Sequence, residues 1–214
     1  MRLPTISLIL TCLLASPALA QNPPGHRILY IQPLGDCQQP QLGSASVQRA
    51  LSVFYDLEIR VLPCQALPKT AYYKPRHRYR AERILEYLNQ RMPADGWRIL
   101  GLTATYISTT NGKVTDWGIL GLGELPGKAS VISSFRCKKK ARNTQHAIVR
   151  LAKVAVHEIG HTLGLPHCPT HSCLMEDAFG KVSTVDGERD FCARCRQAAA
   201  KAGCFIKTPV GLPW

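Results

Sequence analysis

Beyond residue 20 the sequence has no apolar run long enough to cross a bilayer, which excludes a membrane span in the mature chain. It has no internal repeat and no low-complexity block, which removes solenoids and tandem arrays. Nor is it short of apolar residues, at 45% of 214, so disorder, a collagen-like chain and a coiled coil are excluded and one domain with its own core is expected. What it lacks most is acid: 14 Asp and Glu stand against 27 Lys and Arg, a formal charge of +13. The excess is spread along the chain, from Lys69 to Arg91 among Tyr72, Tyr73 and Tyr79, and in a knot at Arg136, Lys138, Lys139, Lys140 and Arg142. Spread charge gives non-specific attraction. No specific nucleic-acid partner is expected, and an anionic surface is the partner class the charge suits.

The first twenty residues read as a signal peptide. Arg2 is the positive start, Ile6 to Ala15 the short apolar stretch, and Ala18-Leu19-Ala20 the small-x-small cleavage site. Residues 21–214 are then a single mature domain, expected to be monomeric and secreted or periplasmic. Cleavage removes Cys12 of the nine cysteines, and the remaining even number fits an oxidising compartment.

Periodicity predicts alternating strands and helices, an α/β (α+β) domain with a mixed twisted sheet. Strands are expected over Arg27 to Pro33, Leu57 to Leu62 and Trp97 to Ser108, and helices over Leu42 to Tyr55 and Tyr79 to Arg91. Trp117 to Leu122 and Lys128 to Phe135 read as a strand pair around Pro126-Gly127, the second serving as an edge for substrate backbone. Trp97 and Trp117 are assigned to the core. Asn143 or Thr144 caps a long helix that runs to Leu163 and ends at Gly164. Residues 165–214 are irregular and Cys-rich, with too little periodic core to hold themselves together by apolar burial alone.

The chemistry concentrates at His157-Glu158-Ile159-Gly160-His161 and on to His167. Residues four apart share a helix face, so His157 and His161 point at one spot, with Glu158 beside them. A left-handed turn at Gly164 would bring His167 back as a third ligand. Three imidazoles leave a zinc ion one open position, the mark of a catalytic site.

The string HExxHxxGxxH followed by a methionine resembles the metzincin metalloproteases. Its continuation through Cys168, Cys173, Leu174-Met175 and Cys192-Ala-Arg-Cys195 resembles the archaemetzincin (archaelysin) family, although 16 residues separate Met175 from Cys192 where about 17 are expected. The resemblance implies a metzincin-like zincin domain that hydrolyses peptide bonds of a peptide or protein substrate. His157, His161 and His167 would ligate the catalytic zinc, Met175 would form the turn beneath it, and Glu158 would act as general base on a zinc-activated water. Some metzincins carry a tyrosine two residues after the methionine to stabilise the oxyanion; here Asp177 stands there. Outside that class, the same residues suit a catalytically silent secreted zinc-binding module, against which the retained Glu158 argues.

Cys168, Cys173, Cys192 and Cys195 have the form of a four-cysteine structural zinc site, a second ion. Disulfides or a redox-active CxxC pair are the alternatives. Cys37, Cys64, Cys137 and Cys204 remain, and allow three pairings; Cys37–Cys64 is favoured because each follows a strand, which leaves Cys137–Cys204. His171 is read as an exposed loop histidine, and the substrate pocket is assigned to segments 64–80 and 109–130.

Overall fold

The computed structural model describes residues 27–38, 42–207 and 214. The expected signal peptide, 1–20, lies outside the described residues. The centre is a five-stranded mixed sheet of β1 (Ile28–Leu34), β2 (Glu58–Val61), β5 (Gly96–Thr103), β8 (Gly121–Gly123) and β9 (Ala129–Ser133), in the order β2-β1-β5-β9-β8. The first four run parallel and β8 pairs antiparallel on β9. A smaller sheet holds β3 (Tyr72–Tyr73), β4 (Arg78–Arg80), β6 (Ile107–Asn111) and β7 (Val114–Gly118). The helices are α1 (Ser44–Phe54), α2 (Ala81–Arg91), α3 (Ser134–Cys137), α4 (Thr144–Thr162), α5 (Val182–Gly187) and α6 (Ala193–Lys201).

All seven residues of β1 are buried, as a central parallel strand covered on both faces must be. Its side chains alternate between two cores. Leu29 and Ile31 face α1 and α4, with Leu100, Leu102 and Ile132 from the neighbouring strands. Ile28, Tyr30 and Leu34 face α2, with Ile99 and Val131. The site helix α4 thus lies flat on one sheet face for 19 residues, and from Leu151 to Thr162 every residue is buried. Asn143 starts it: its side-chain oxygen accepts the His146 N–H at 2.8 Å. At the other end Gly164 takes φ +87°, the left-handed turn the sequence calls for.

Several expectations change, among them the strand Trp117 to Leu122, which divides between β7 and β8 in different sheets. The run Trp97 to Ser108 is two strands in two sheets, because the Thr103 hydroxyl captures the Thr105 N–H at 3.2 Å and bends the chain. Lys128 to Phe135 supplies β9, which is paired on both sides; the edge on that side of the sheet is β8. Trp117 belongs to β7 and is part-exposed on the cleft rim, whereas Trp97 does pack against the core. The tail also carries more core than its pattern suggests. Leu165, Leu174, Met175, Val185, Phe191 and Ala199 are buried in the α1–α4 core, and Phe54 packs against both Phe191 and Trp214.

Of the cysteines, Cys37 and Cys64 form a disulfide just past the paired ends of β1 and β2, as favoured. Cys137 and Cys204 do not pair. Cys137 is buried in α3 beside Arg150, while Cys204 follows α6 near Arg27 and Arg98, and burial pushes their thiols up to about 12 and about 11.

Candidate metal centre and active site

The helix period puts His157 and His161 on one face of α4, and the turn at Gly164 returns His167 to them. The three ring centroids lie 4.6, 4.8 and 5.4 Å apart, with one ring nitrogen of each residue within 4.8 Å of the others. In each ring the other nitrogen is engaged. His157 Nδ1 meets the Leu174 carbonyl at 2.7 Å and His161 Nδ1 the Leu165 carbonyl at 2.8 Å. His167 Nδ1 lies 3.3 Å from Asp177 Oδ2. An acceptor behind Nδ1 fixes the tautomer and leaves Nε2 as the free donor to a metal. Burial, and then the neighbouring imidazole, lower His157 to about 3; burial lowers His161 to about 4. Both are therefore neutral at physiological pH, the form that binds metal. Three converging, pre-oriented imidazole nitrogens fit zinc.

Glu158 is buried beside them, and burial pushes it up to about 8, with the Glu188 carboxyl adding to the rise and the Gly123 N–H opposing it. Its room comes from β8. A Cβ on Gly121 would sit 2.5 Å from Glu158 Oε1, and one on Gly123 2.6 Å from the Glu158 carbonyl oxygen. Met175 is fully buried under the helix, where a Cβ on Gly160 would meet its Sδ at 2.5 Å. The glycine of the HEIGH string is what allows the methionine turn to close against it.

Asp177 is occupied with His167, so it is not placed as a replacement for an oxyanion-stabilising tyrosine. His171 is exposed and pairs with Glu176 at 3.0 Å, outside the histidine cluster. A cavity of about 700 Å³ opens over the cluster. Its wall runs from Thr109 to Leu125 and then through Asp177 to Gly180, Val185 and Glu188; segment 64–80 takes no part. Sequence reasoning missed the second wall and the two β8 glycines. The pair Gly121 and Gly123 inside a strand pattern was the available signal, since strand glycine marks close approach.

Cys168, Cys173, Cys192 and Cys195 form a second cluster, with their sulfurs within 4.8 Å of one another. The Cys168–Cys192 and Cys173–Cys195 sulfur pairs are 3.7 Å apart, too far for disulfides and close to the ~3.8 Å edge of a tetrahedron with ~2.3 Å zinc–sulfur bonds. Donors surround the sulfurs. Thr170 N–H and Arg194 reach Cys168 Sγ at 3.4 and 3.2 Å, and Cys192 N–H reaches Cys173 Sγ at 3.4 Å. The tail is further clamped to α4 by buried cations. Arg150 bonds Asp186 through Nε and a terminal nitrogen, and Lys153 donates to the carbonyls of Val185, Asp186 and Glu188.

A mixed α/β domain with three histidines converging at the base of a cleft, and a carboxyl group beside them, is the architecture of a zinc metallopeptidase. Residues 47–201 match the model of Peptidase family M54, and the chain belongs to that family. It is 33% identical over 181 residues to the archaemetzincin of Haloquadratum walsbyi, covering 79% of this chain and 98% of the relative. Among solved structures, the archaemetzincin of Methanopyrus kandleri superposes with a TM-score of 0.69 at 29% identity, covering 83% of this chain and 96% of that one. The archaemetzincin of Archaeoglobus fulgidus, solved with malonate, gives 0.67 at 30% identity, covering 80% and 99%.

Proposed function

We propose that this zinc metallopeptidase is exported, with a catalytic zinc held by His157, His161 and His167, Glu158 as general base, and a second, structural zinc held by Cys168, Cys173, Cys192 and Cys195. The observation that carries the reading is the convergence of three imidazoles, each with its outer nitrogen engaged, beside a buried carboxyl in a cleft. Bound there, zinc supplies Lewis acidity, bringing the pKa of a water to about 7. The chain's own groups do the rest. Edge strand β8 offers its unpaired side to an extended peptide and so positions the scissile bond over the histidines. Glu158 accepts a proton from the attacking water and delivers it to the leaving amine. Beside a bound cation Glu158 would fall from its raised value toward the ionised form a base needs.

Export rests on the Arg2 to Ala20 pattern, and N-terminal sequencing of exported protein is expected to begin at Gln21. The activity is tested with metal-loaded mature protein on a broad peptide library. Wild type should cleave, a chelator should stop it, and Glu158→Gln should keep its metal and lose turnover. Absence of chelator-sensitive cleavage in loaded wild type would leave the silent zinc-binding module in its place. Elemental analysis should give two zinc ions per chain. Denaturation with a chelator should release six thiols, those of the four-cysteine cluster plus Cys137 and Cys204.

A further inference from the structure

The chain is strongly basic, yet the cleft is not. Among the described residues no Lys or Arg lines it, while three acidic residues do: Glu158, Asp177 and Glu188. Glu158 and Asp177 already have tasks at the histidine cluster. Glu188 has none. It follows α5 in the second wall, is 2% exposed, and its Oε2 is buried without a hydrogen-bond partner. The nearby Lys153 ammonium does not serve it, because that group is aimed at three backbone carbonyls, at 2.6, 3.0 and 3.3 Å. Desolvation accordingly pushes Glu188 up to about 8, with Lys153 pulling down and Glu176 and Asp186 pushing further up.

A buried acceptor without a partner is costly, and the cost persists only where the surrounding structure holds the group in place. Here the holding is visible: Lys153 fixes the backbone on both sides of α5's end, and Arg150 fixes Asp186 two residues earlier. The same cavity presents apolar surface from Val154, Val185, Ile119 and Leu120. A carboxyl group among aliphatic walls suits a ligand with an aliphatic stem and a cationic head.

We propose that Glu188 is a specificity-determining residue that selects peptides presenting a cationic group to this wall of the cleft: the ammonium of lysine, the guanidinium of arginine, or a free α-amino group. The cation completes the buried carboxyl group, and the apolar lining covers its stem. This inference rests on the peptidase reading of the cleft, and its test is chosen to fail separately.

Equilibrium binding is measured by calorimetry on zinc-loaded Glu158→Gln protein, with short uncharged peptides in which one lysine is moved along the chain. Each is compared with its norleucine counterpart, with free and with acetylated N-terminus. At one position lysine should bind about tenfold tighter than norleucine, as a charge-assisted hydrogen bond provides. Adding Glu188→Gln should bring the pair to within about twofold. A gain that follows the free N-terminus instead of the lysine identifies the α-amino group as the cation. Norleucine binding as well as lysine at every position, with no gain from a free N-terminus, overturns the proposal, and this comparison needs no change at Glu188. A preference that survives Glu188→Gln overturns it as well. Wild-type turnover of the same peptides separates the two readings: a lysine preference without hydrolysis removes the peptidase and keeps the cation site, and hydrolysis without the preference does the reverse.

Discussion

The histidine and cysteine clusters are built on opposite plans. Two of the histidines sit on a regular buried helix and the third on the turn behind it, and all three have acceptors behind them: the carbonyls of Leu174 and Leu165 and the carboxylate of Asp177. The four cysteines hang on loops and the start of α6, and are approached by donors, from Thr170, Cys192 and Arg194. A neutral imidazole needs an acceptor for its outer N–H, whereas a thiolate needs donors for its charge. The first cluster also borders the cleft, with His167 half-exposed, while none of the four cysteines lines that cavity. An open site fits turnover and a closed one fits architecture.

The sharpest break of that contrast is a pair of replacements, one in each cluster, at residues proposed as ligands. Cys173→Ser should remove much of the folding free energy a structural zinc contributes, ~10 kcal/mol in small zinc domains, and lower the melting temperature by more than ~10 °C. His161→Gln should abolish hydrolysis and move melting by only a few degrees. Calorimetric scans of both proteins decide it, and equal melting losses would erase the division between the clusters.

A smaller effect sharpens the histidine side alone. Asp177→Ala removes the group behind His167 and should weaken zinc at the catalytic cluster by ~10 to 100-fold in a competitive chelator titration. The second zinc proposed for the cysteine cluster should be retained. Loss of both ions together would mean Asp177 serves the fold and not the ligand.

Gly160→Ala tests whether the floor beneath the histidines is packed as tightly as it looks. The added methyl meets Met175, and the expected loss is about 1–3 kcal/mol in denaturant titration. A neutral outcome would show that the methionine has room to move.

The smallest effect is in acid. The Arg150 hydrogen bonds hold Asp186 down to about 2, from an ordinary 3.8. A depressed carboxylate contributes stability that is present above the ordinary value and is lost as pH falls toward 2. Asp186→Asn should therefore flatten the acid limb of a stability curve between about pH 4 and pH 2, and leave neutral stability lower.

The sequence disclosed the histidine cluster more fully than the walls around it, for a physical reason. His157, Glu158 and His161 are fixed by the helix period, and Gly164 announces the turn that His167 needs, so local rules suffice. The layered fold is legible for the same reason, since β1 and α4 carry strong periodic patterns. What local pattern does not carry is pairing across the chain. The turn at Pro126-Gly127 does announce that β8 pairs with β9, but nothing in Trp117 to Leu122 says that the run splits between two sheets, and nothing near Cys137 or Cys204 says that one faces α4 and the other the region of Arg27 and Arg98. Trp97 to Ser108 looks continuous because a single hydroxyl, that of Thr103, breaks it. Glu188 escaped notice because an isolated glutamate in a turn-rich tail is ordinarily solvated; only burial makes it unusual.

Edge strand β8 has a consequence for how such a molecule can vary over time. Glycine is the one residue without a Cβ, so every missense change at codon 121 or 123 places an atom against Glu158. At 121 that atom crowds the Glu158 carboxyl group, and at 123 it meets the buried backbone of α4, so the second change costs packing as well. Codon 125, two positions on, encodes an exposed leucine on the same rim. An exposed side chain tolerates substitution at little cost to stability, so the rim at 125 can change where the glycines beside it cannot.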